Sequence, residues 1–143
     1  MNLKLSMAYA SLLALPMLGL SDISAEIVHV STPATSLVLK ADKGKELRFY
    51  HYGDKLSDED IRSMTSSGAP AVNAYPPYGM NTRRETAVAA THTDGNMTLD
   101  LVVDRVEREG NVTSVSLKDK YYPFYVRLNY RTYPETDIIE MWS

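Results

Sequence analysis

The residues best suited to chemistry lie between Ala74 and Asp104. This stretch opens with Ala74-Tyr-Pro-Pro-Tyr-Gly79. Pro76 and Pro77 fix the backbone and Gly79 permits an abrupt turn, so Tyr75 and Tyr78 are expected to be presented with little entropy left to lose. Tyrosine rings stack on the faces of sugars, and Arg and Asn side chains reach hydroxyls. The chemistry on offer is recognition. Farther on, His92 stands beside an Asp94-Gly95 turn. A metal or catalytic histidine needs partners at ligand spacing, but His29 and His51 fall in other strand-like runs and cysteine is absent. His92 therefore reads as a hydrogen-bonded or partly exposed strand residue, and neither metal nor cofactor is expected.

Paired carboxylates could act as general acid and base, yet each acid here has an ordinary explanation. Asp100 and Asp104 fall on the polar face of a strand, and Asp94 belongs to a turn. Asp58, Glu59 and Asp60 sit at an expected helix start, where negative charge is favoured. Asp54 to Asp60 also lacks the central Gly and terminal Glu of a calcium loop. No catalytic residue is assigned within this chain. A second candidate surface comes from Tyr125, Arg127, Asn129, Arg131 and Tyr133, which share one face of a strand. Such a face suits an oligosaccharide or a subunit interface, or is a solvated sheet face with cross-strand pairs.

The elements that must hold these groups are short and β-like. Ile27 to Val30 and Leu37 to Leu39 are apolar runs separated by Thr32-Pro33. Leu47, Phe49 and His51 alternate with Arg48, Tyr50 and Tyr52 until Gly53-Asp54 ends the run. Ser57-Asp-Glu-Asp60 predicts a capping box and one or two helical turns. The stretch around Asp94-Gly95 predicts a hairpin, with one arm near Asn81–Val88 and a return arm carrying Met97, Leu99, Leu101 and Val103 on one face. Arg105-Val106 breaks that phase, predicting a bulge or bend. Strands follow at Val112 to Leu117, at Phe124 to Arg131 as the longest, and from Ile138 to Trp142. The fold class expected is all-β, an antiparallel β-sandwich with one short helix.

With 143 residues there is room for one domain. Met1 to Lys4 is a short positive start, Leu5 to Leu20 an apolar run, and Ile23-Ser24-Ala25 a small-residue site. That order predicts a signal peptide over residues 1–25 and a mature sandwich domain over 26–143, periplasmic or secreted, with no membrane span after cleavage. A net charge of −3 without a basic block gives no footprint for nucleic acid. Without cysteine, the domain must rely on its apolar core, and no lipid can be attached through a leader cysteine.

Several of these strings, in order, resemble the amino-terminal sandwich domain of glycoside hydrolase family 36, the α-galactosidases. They are the Tyr75 to Gly79 loop, Arg84-Glu-Thr-Ala87, Thr91-His-Thr-Asp-Gly-Asn96, Val115-Ser-Leu-Lys-Asp119, Tyr122-Pro-Phe124 and Asp137-Ile-Ile-Glu140. The resemblance implies a supersandwich-like fold, incomplete at its C-terminus, and a parent enzyme whose two catalytic aspartates lie on a (β/α)8 barrel beyond Ser143. It also implies that the parent acts on galactose-containing oligosaccharides with retention of configuration. In some members the matching loop reaches the active site of a neighbouring subunit, which implies a homo-oligomer and makes Tyr78 and Arg84 the substrate-binding candidates. The chain departs from those members at Thr82-Arg83, where they tend to carry Asp and an aromatic.

Met141-Trp142-Ser143 ends inside an apolar run without a turn signal, so a fragment of a longer protein is expected. Three functions remain open on this reading. The first is the non-catalytic portion of an exported α-galactosidase, inactive alone. The second is a stand-alone carbohydrate-binding β-sandwich, and the third a structural sandwich packed on a partner.

Overall fold

The computed structural model describes residues 26–68, 70–80 and 85–143. The expected leader, residues 1–25, and Arg84 lie outside the described residues. Among these residues eight strands form two antiparallel sheets of four. The first contains β1 (Glu26–Ser31), β2 (Thr35–Ala41), β3 (Arg48–Asp54) and β4 (Val72–Asn73), with helix α1 (Asp58–Ser66) between β3 and β4. The second contains β5 (Leu101–Glu109), β6 (Val112–Asp119), β7 (Tyr125–Tyr133) and β8 (Ile138–Trp142). In each sheet the spatial order follows the chain order. The all-β sandwich expected from the alternating patterns is the fold observed. No helix among the described residues is long and apolar enough to cross a membrane.

The two-residue period of the strands sends one face of each sheet inward. Val28, Val30, Leu37 and Leu39 from the first sheet meet Val103, Val115, Leu117 and Leu128 from the second in one buried cluster. Tyr130 joins them, and burial pushes its hydroxyl pKa up to about 12. The opposite face of β2 is covered too. Val38 is fully buried there, and the segment leading into α1 docks on that face through the Leu56 N–H, which donates to Ser36 Oγ at 3.1 Å. Helix α1 is capped as its sequence predicts: Ser57 Oγ accepts from the Asp60 N–H at 3.2 Å while the Asp60 carboxylate accepts from the Ser57 N–H at 3.3 Å. At nine residues the helix is longer than one or two turns.

Among the described residues, three groups of contacts stitch the sheets together. The loop after β2 bonds to the second sheet, Gly44 N–H to Val103 O at 2.9 Å and Val103 N–H to Lys45 O at 2.8 Å. At one end Arg108 pairs with Glu26. Near the β7–β8 turn, Asp137 adopts φ 55 and places its carboxylate in the turn between β1 and β2. It accepts from the Ala34 N–H at 3.0 Å, from Thr35 Oγ1 at 2.9 Å and from the Thr32 hydroxyl. The Thr32 hydroxyl bond, aided by Ala34 and Thr35, holds the Asp137 carboxyl below the usual carboxylate range.

The phase break at Arg105-Val106 corresponds to a β-bulge between Val103 and Arg105. The extra residue, Asp104, turns toward Lys118 Nζ at 2.8 Å. β7 is nine residues long, a length that β5 equals. The expected hairpin around Asp94-Gly95 takes a different form. The turn is present, with His92 N–H donating to Asn96 O at 2.8 Å, but no strand lies between Asn73 and Leu101 among the described residues. The reason is a wedge. Residues 76–79 run between the two arms and take the backbone bonds the arms would have exchanged: Ala87 N–H to Pro76 O at 2.8 Å, Tyr78 N–H to Val88 O at 2.9 Å, and Leu99 N–H to Tyr78 O at 3.0 Å. Met97, expected to share the apolar face, is 42% exposed, whereas Leu99 is fully buried.

Candidate functional site

That wedge is the tip of the aromatic loop. Its base is fixed by Ala74 N–H donating to Leu47 O at 2.8 Å and by Tyr75 N–H donating to Asn73 Oδ1 at 2.9 Å. Pro77 is fully buried. Tyr78 is bonded through both its N–H and its C=O, the latter to a residue of the core, so its backbone has no freedom to lose on binding. Its ring is 45% exposed. Gly79 turns away at φ +89, and a Cβ there would stand 2.8 Å from Thr98 Cα. Of the two tyrosines expected to be presented, the structure presents Tyr78. Tyr75 is half-buried and packs against the core cluster.

A second cluster forms at the Asp94-Gly95 turn. The His92 ring stacks on Tyr122, with centroids 3.6 Å apart and planes 7° from parallel, and meets the edge of Phe124. Tyr122 donates its hydroxyl to Asp94 Oδ2 at 2.8 Å and accepts from Asn96 Nδ2 at 2.9 Å. Asp119 fixes the chain around Tyr122: its carboxylate accepts from the Tyr121 and Tyr122 N–H groups, both at 2.8 Å, and from the Asp100 N–H at 2.6 Å. Burial tends to raise the Asp119 pKa, but these three backbone bonds outweigh it and the carboxyl lies below its ordinary value. His92 is thus a half-buried stacked ring whose Nε2 has no hydrogen-bond partner among the described residues. Sequence reasoning assigned no role to Asp119, Tyr122 or Asp137. The available signal was that all three fall inside the strings quoted for the family resemblance.

The depressed Asp119 carboxyl gives the fold a pH dependence of definite sign. A lowered folded-state pKa means that the unfolded chain binds the proton first as pH falls. The stabilisation is complete above the unfolded value of about 3.9 and is lost as pH falls through the folded value. The stability gap between the unaltered chain and Asp119→Ala, read from urea unfolding, is therefore expected to be full at pH 7 and to narrow below about pH 4. A gap that widens on acidification would contradict this assignment.

The site as described can stack on a flat ligand and hydrogen-bond to it. Asp60, Asp94, Asp104, Asp119 and Asp137 are all shifted toward the ionised form by hydrogen bonds or cations, the reverse of what a general acid requires. No group of three or more His, Cys, Asp or Glu able to hold a metal is found among the described residues. On the outer face of the second sheet, the Tyr125 to Tyr133 series is cross-strand paired. Arg127 meets Glu107 at 3.2 Å, Ser114 Oγ donates to Asn129 Oδ1 at 2.8 Å, and Arg131 lies between Glu140 at 3.3 Å and the Tyr133 hydroxyl at 3.2 Å.

Fold and site together define an antiparallel β-sandwich domain carrying a rigid aromatic loop at its rim. Residues 45–143 match the glycosyl hydrolase family 36 N-terminal domain, and the chain belongs to that family. β1 and β2 both precede the matched segment, yet they supply Val28, Val30, Leu37 and Leu39 to the core. Among solved structures, the chain is similar to the crystal structure of the α-galactosidase from Lactobacillus brevis. The TM-score is 0.63 at 19% identity, and the alignment covers 79% of this chain and 20% of that one. The likeness shows the fold, and the chain spans about a fifth of that enzyme. A comparison with curated proteins finds no match.

Proposed function

We propose that this chain is the amino-terminal, non-catalytic portion of an exported, retaining α-galactosidase, and that its aromatic loop contributes to sugar binding through Tyr78 and Arg84. Membership of the family 36 N-terminal domain carries the reading. The structural neighbour being an α-galactosidase supports the substrate class. A retaining glycosidase needs two carboxyl groups about 5–5.5 Å apart, one of them protonated at working pH. The hydrogen-bonded, ionised carboxylates described above favour a location for that pair elsewhere in the parent, on a barrel domain. The role of the chain is then to hold Tyr78 rigidly against a sugar ring, in its own subunit or a neighbour.

The test is steady-state kinetics on an aryl α-galactoside. The full-length parent should turn it over with retained anomeric configuration, and the 143-residue chain alone should not. In the parent, Tyr78→Ala and Arg84→Ala are each expected to raise KM about 2- to 10-fold, the worth of one stacking or hydrogen-bonding contact, with little change in Tm. His92→Ala should lower Tm and leave KM alone. Unchanged kinetics in both loop variants would remove Tyr78 and Arg84 from the site. Export is checked by mass: the mature chain should begin at Glu26, and a retained Met1 on soluble periplasmic material would overturn it.

A further inference from the structure

We propose that Asp94-Gly95 is a latent site of backbone isomerisation to isoaspartate, held closed in the folded chain by the Tyr122 hydroxyl. It is the chain's only Asp-Gly pair, and Asn-Gly does not occur. Both residues are exposed, and nothing lies within 4 Å of the position a Cβ on Gly95 would take, so the main-chain nitrogen there is unhindered. The reaction needs no partner beyond water. The Gly95 nitrogen attacks Asp94 Cγ, its proton and the carboxyl's hydroxyl leave together as water, and a five-membered succinimide closes. Water then opens the ring at either carbonyl. Opening at the α-carbonyl leaves the chain running through Cγ, with one extra methylene in the backbone and a free α-carboxylate. One water is released and one consumed, and nothing is oxidised or reduced.

The folded turn opposes each requirement of that reaction. Ring closure needs a neutral carboxyl, because an ionised one has no hydroxyl to release as water. The Asn96 N–H and then the Tyr122 hydroxyl hold the Asp94 carboxyl below its ordinary range. Closure also needs the carboxyl to swing onto the Gly95 nitrogen, yet both its oxygens are engaged, Oδ1 by the Asn96 N–H at 3.0 Å and Oδ2 by the Tyr122 hydroxyl at 2.8 Å. The nitrogen is committed too, since the Gly95 N–H donates to His92 O at 2.9 Å. Among these restraints, the Tyr122 hydroxyl comes from outside the turn. Its ring is fixed in turn by stacking on His92 and by the Asp119 carboxylate, which accepts from the Tyr122 N–H. Removing that hydroxyl frees Oδ2 and lets the carboxyl rotate while the rest of the domain stays folded, a local opening rather than a global one.

The full 143-residue chain is incubated at neutral pH and physiological temperature. Isoaspartate is counted by methyl transfer from S-adenosylmethionine with a protein isoaspartyl methyltransferase and located at position 94 by peptide mapping. Tyr122→Phe keeps the ring on His92 and removes the hydroxyl alone. It is expected to form isoaspartate at least about tenfold faster than the unaltered chain, the worth of one hydrogen bond to a charged group. Tyr121→Phe, at a ring that is 79% exposed, should match the unaltered chain. Val115→Ala truncates a fully buried core residue and leaves the turn's bonds alone, so it reports isomerisation through general unfolding. With urea adjusted so that both variants have the same fraction unfolded, Val115→Ala should form isoaspartate more slowly than Tyr122→Phe. An unaltered chain that isomerises as fast folded as in denaturing urea, a Tyr122→Phe chain no faster than the unaltered one, or a Val115→Ala chain as fast as Tyr122→Phe would each overturn the proposal.

Discussion

Leu99→Ala is expected to cost about 2–5 kcal/mol of stability, the range for truncating a fully buried leucine. Leu99 is fully buried, lies in the core cluster, and its N–H holds the carbonyl of Tyr78. It ties the irregular segment before β5 to the floor of the loop. Domains of this size are stable by only about 5–15 kcal/mol, so the loss is a large share of the total. Urea unfolding followed by circular dichroism should show a lower midpoint with an unchanged slope, because the surface exposed on unfolding is nearly the same. A loss under about 1 kcal/mol would mean that the sheets collapse into the vacated space.

Gly79→Ala is expected to cost about 2–5 kcal/mol, from two sources that a second variant separates. The positive φ of +89 disfavours any side chain by about 1–2 kcal/mol. The new Cβ would in addition stand 2.8 Å from Thr98 Cα, Cγ2 and Oγ1, an overlap worth about 1–3 kcal/mol. Gly95 has a similar φ of +85 with nothing within 4 Å of its hypothetical Cβ, so Gly95→Ala should show the backbone cost alone. Equal losses in the two variants would show that the Thr98 contact yields freely. The expected excess at Gly79 would show that the close approach of residues 76–79 to the arm at Thr98 is rigid, and with it the presentation of Tyr78.

Local rules made much of this molecule legible. Strict alternation at Leu99, Leu101 and Val103 and at Val126, Leu128 and Tyr130 is a property of neighbouring residues, so the strands and their inward faces follow from it. The same holds for the Ser57 cap, whose partners are three residues apart, and for the bulge, which shows as a slip in phase. The family resemblance was legible too, because order and spacing of short strings survive in a linear chain. The failure at the expected hairpin has the opposite character. Asp94-Gly95 does turn the chain, but whether its arms pair with each other depends on what competes for their backbone groups, and the competitor, residues 76–79, approaches from outside the hairpin.

By itself the sequence determined the all-β class, the strand faces, the capped helix, the family and the rigidity of the Pro-Pro-Tyr-Gly turn, since each rests on residues close together along the chain. Tertiary structure alone decided which tyrosine is exposed, why Gly79 must lack a side chain, and what the acids do. Asp119 gathers the N–H groups of Asp100, Tyr121 and Tyr122, and Asp137 reaches residues more than a hundred positions away. Hydrogen bonds and stacked rings act over a few ångströms of space, and no pattern of spacing specifies which distant segments folding will bring within that range.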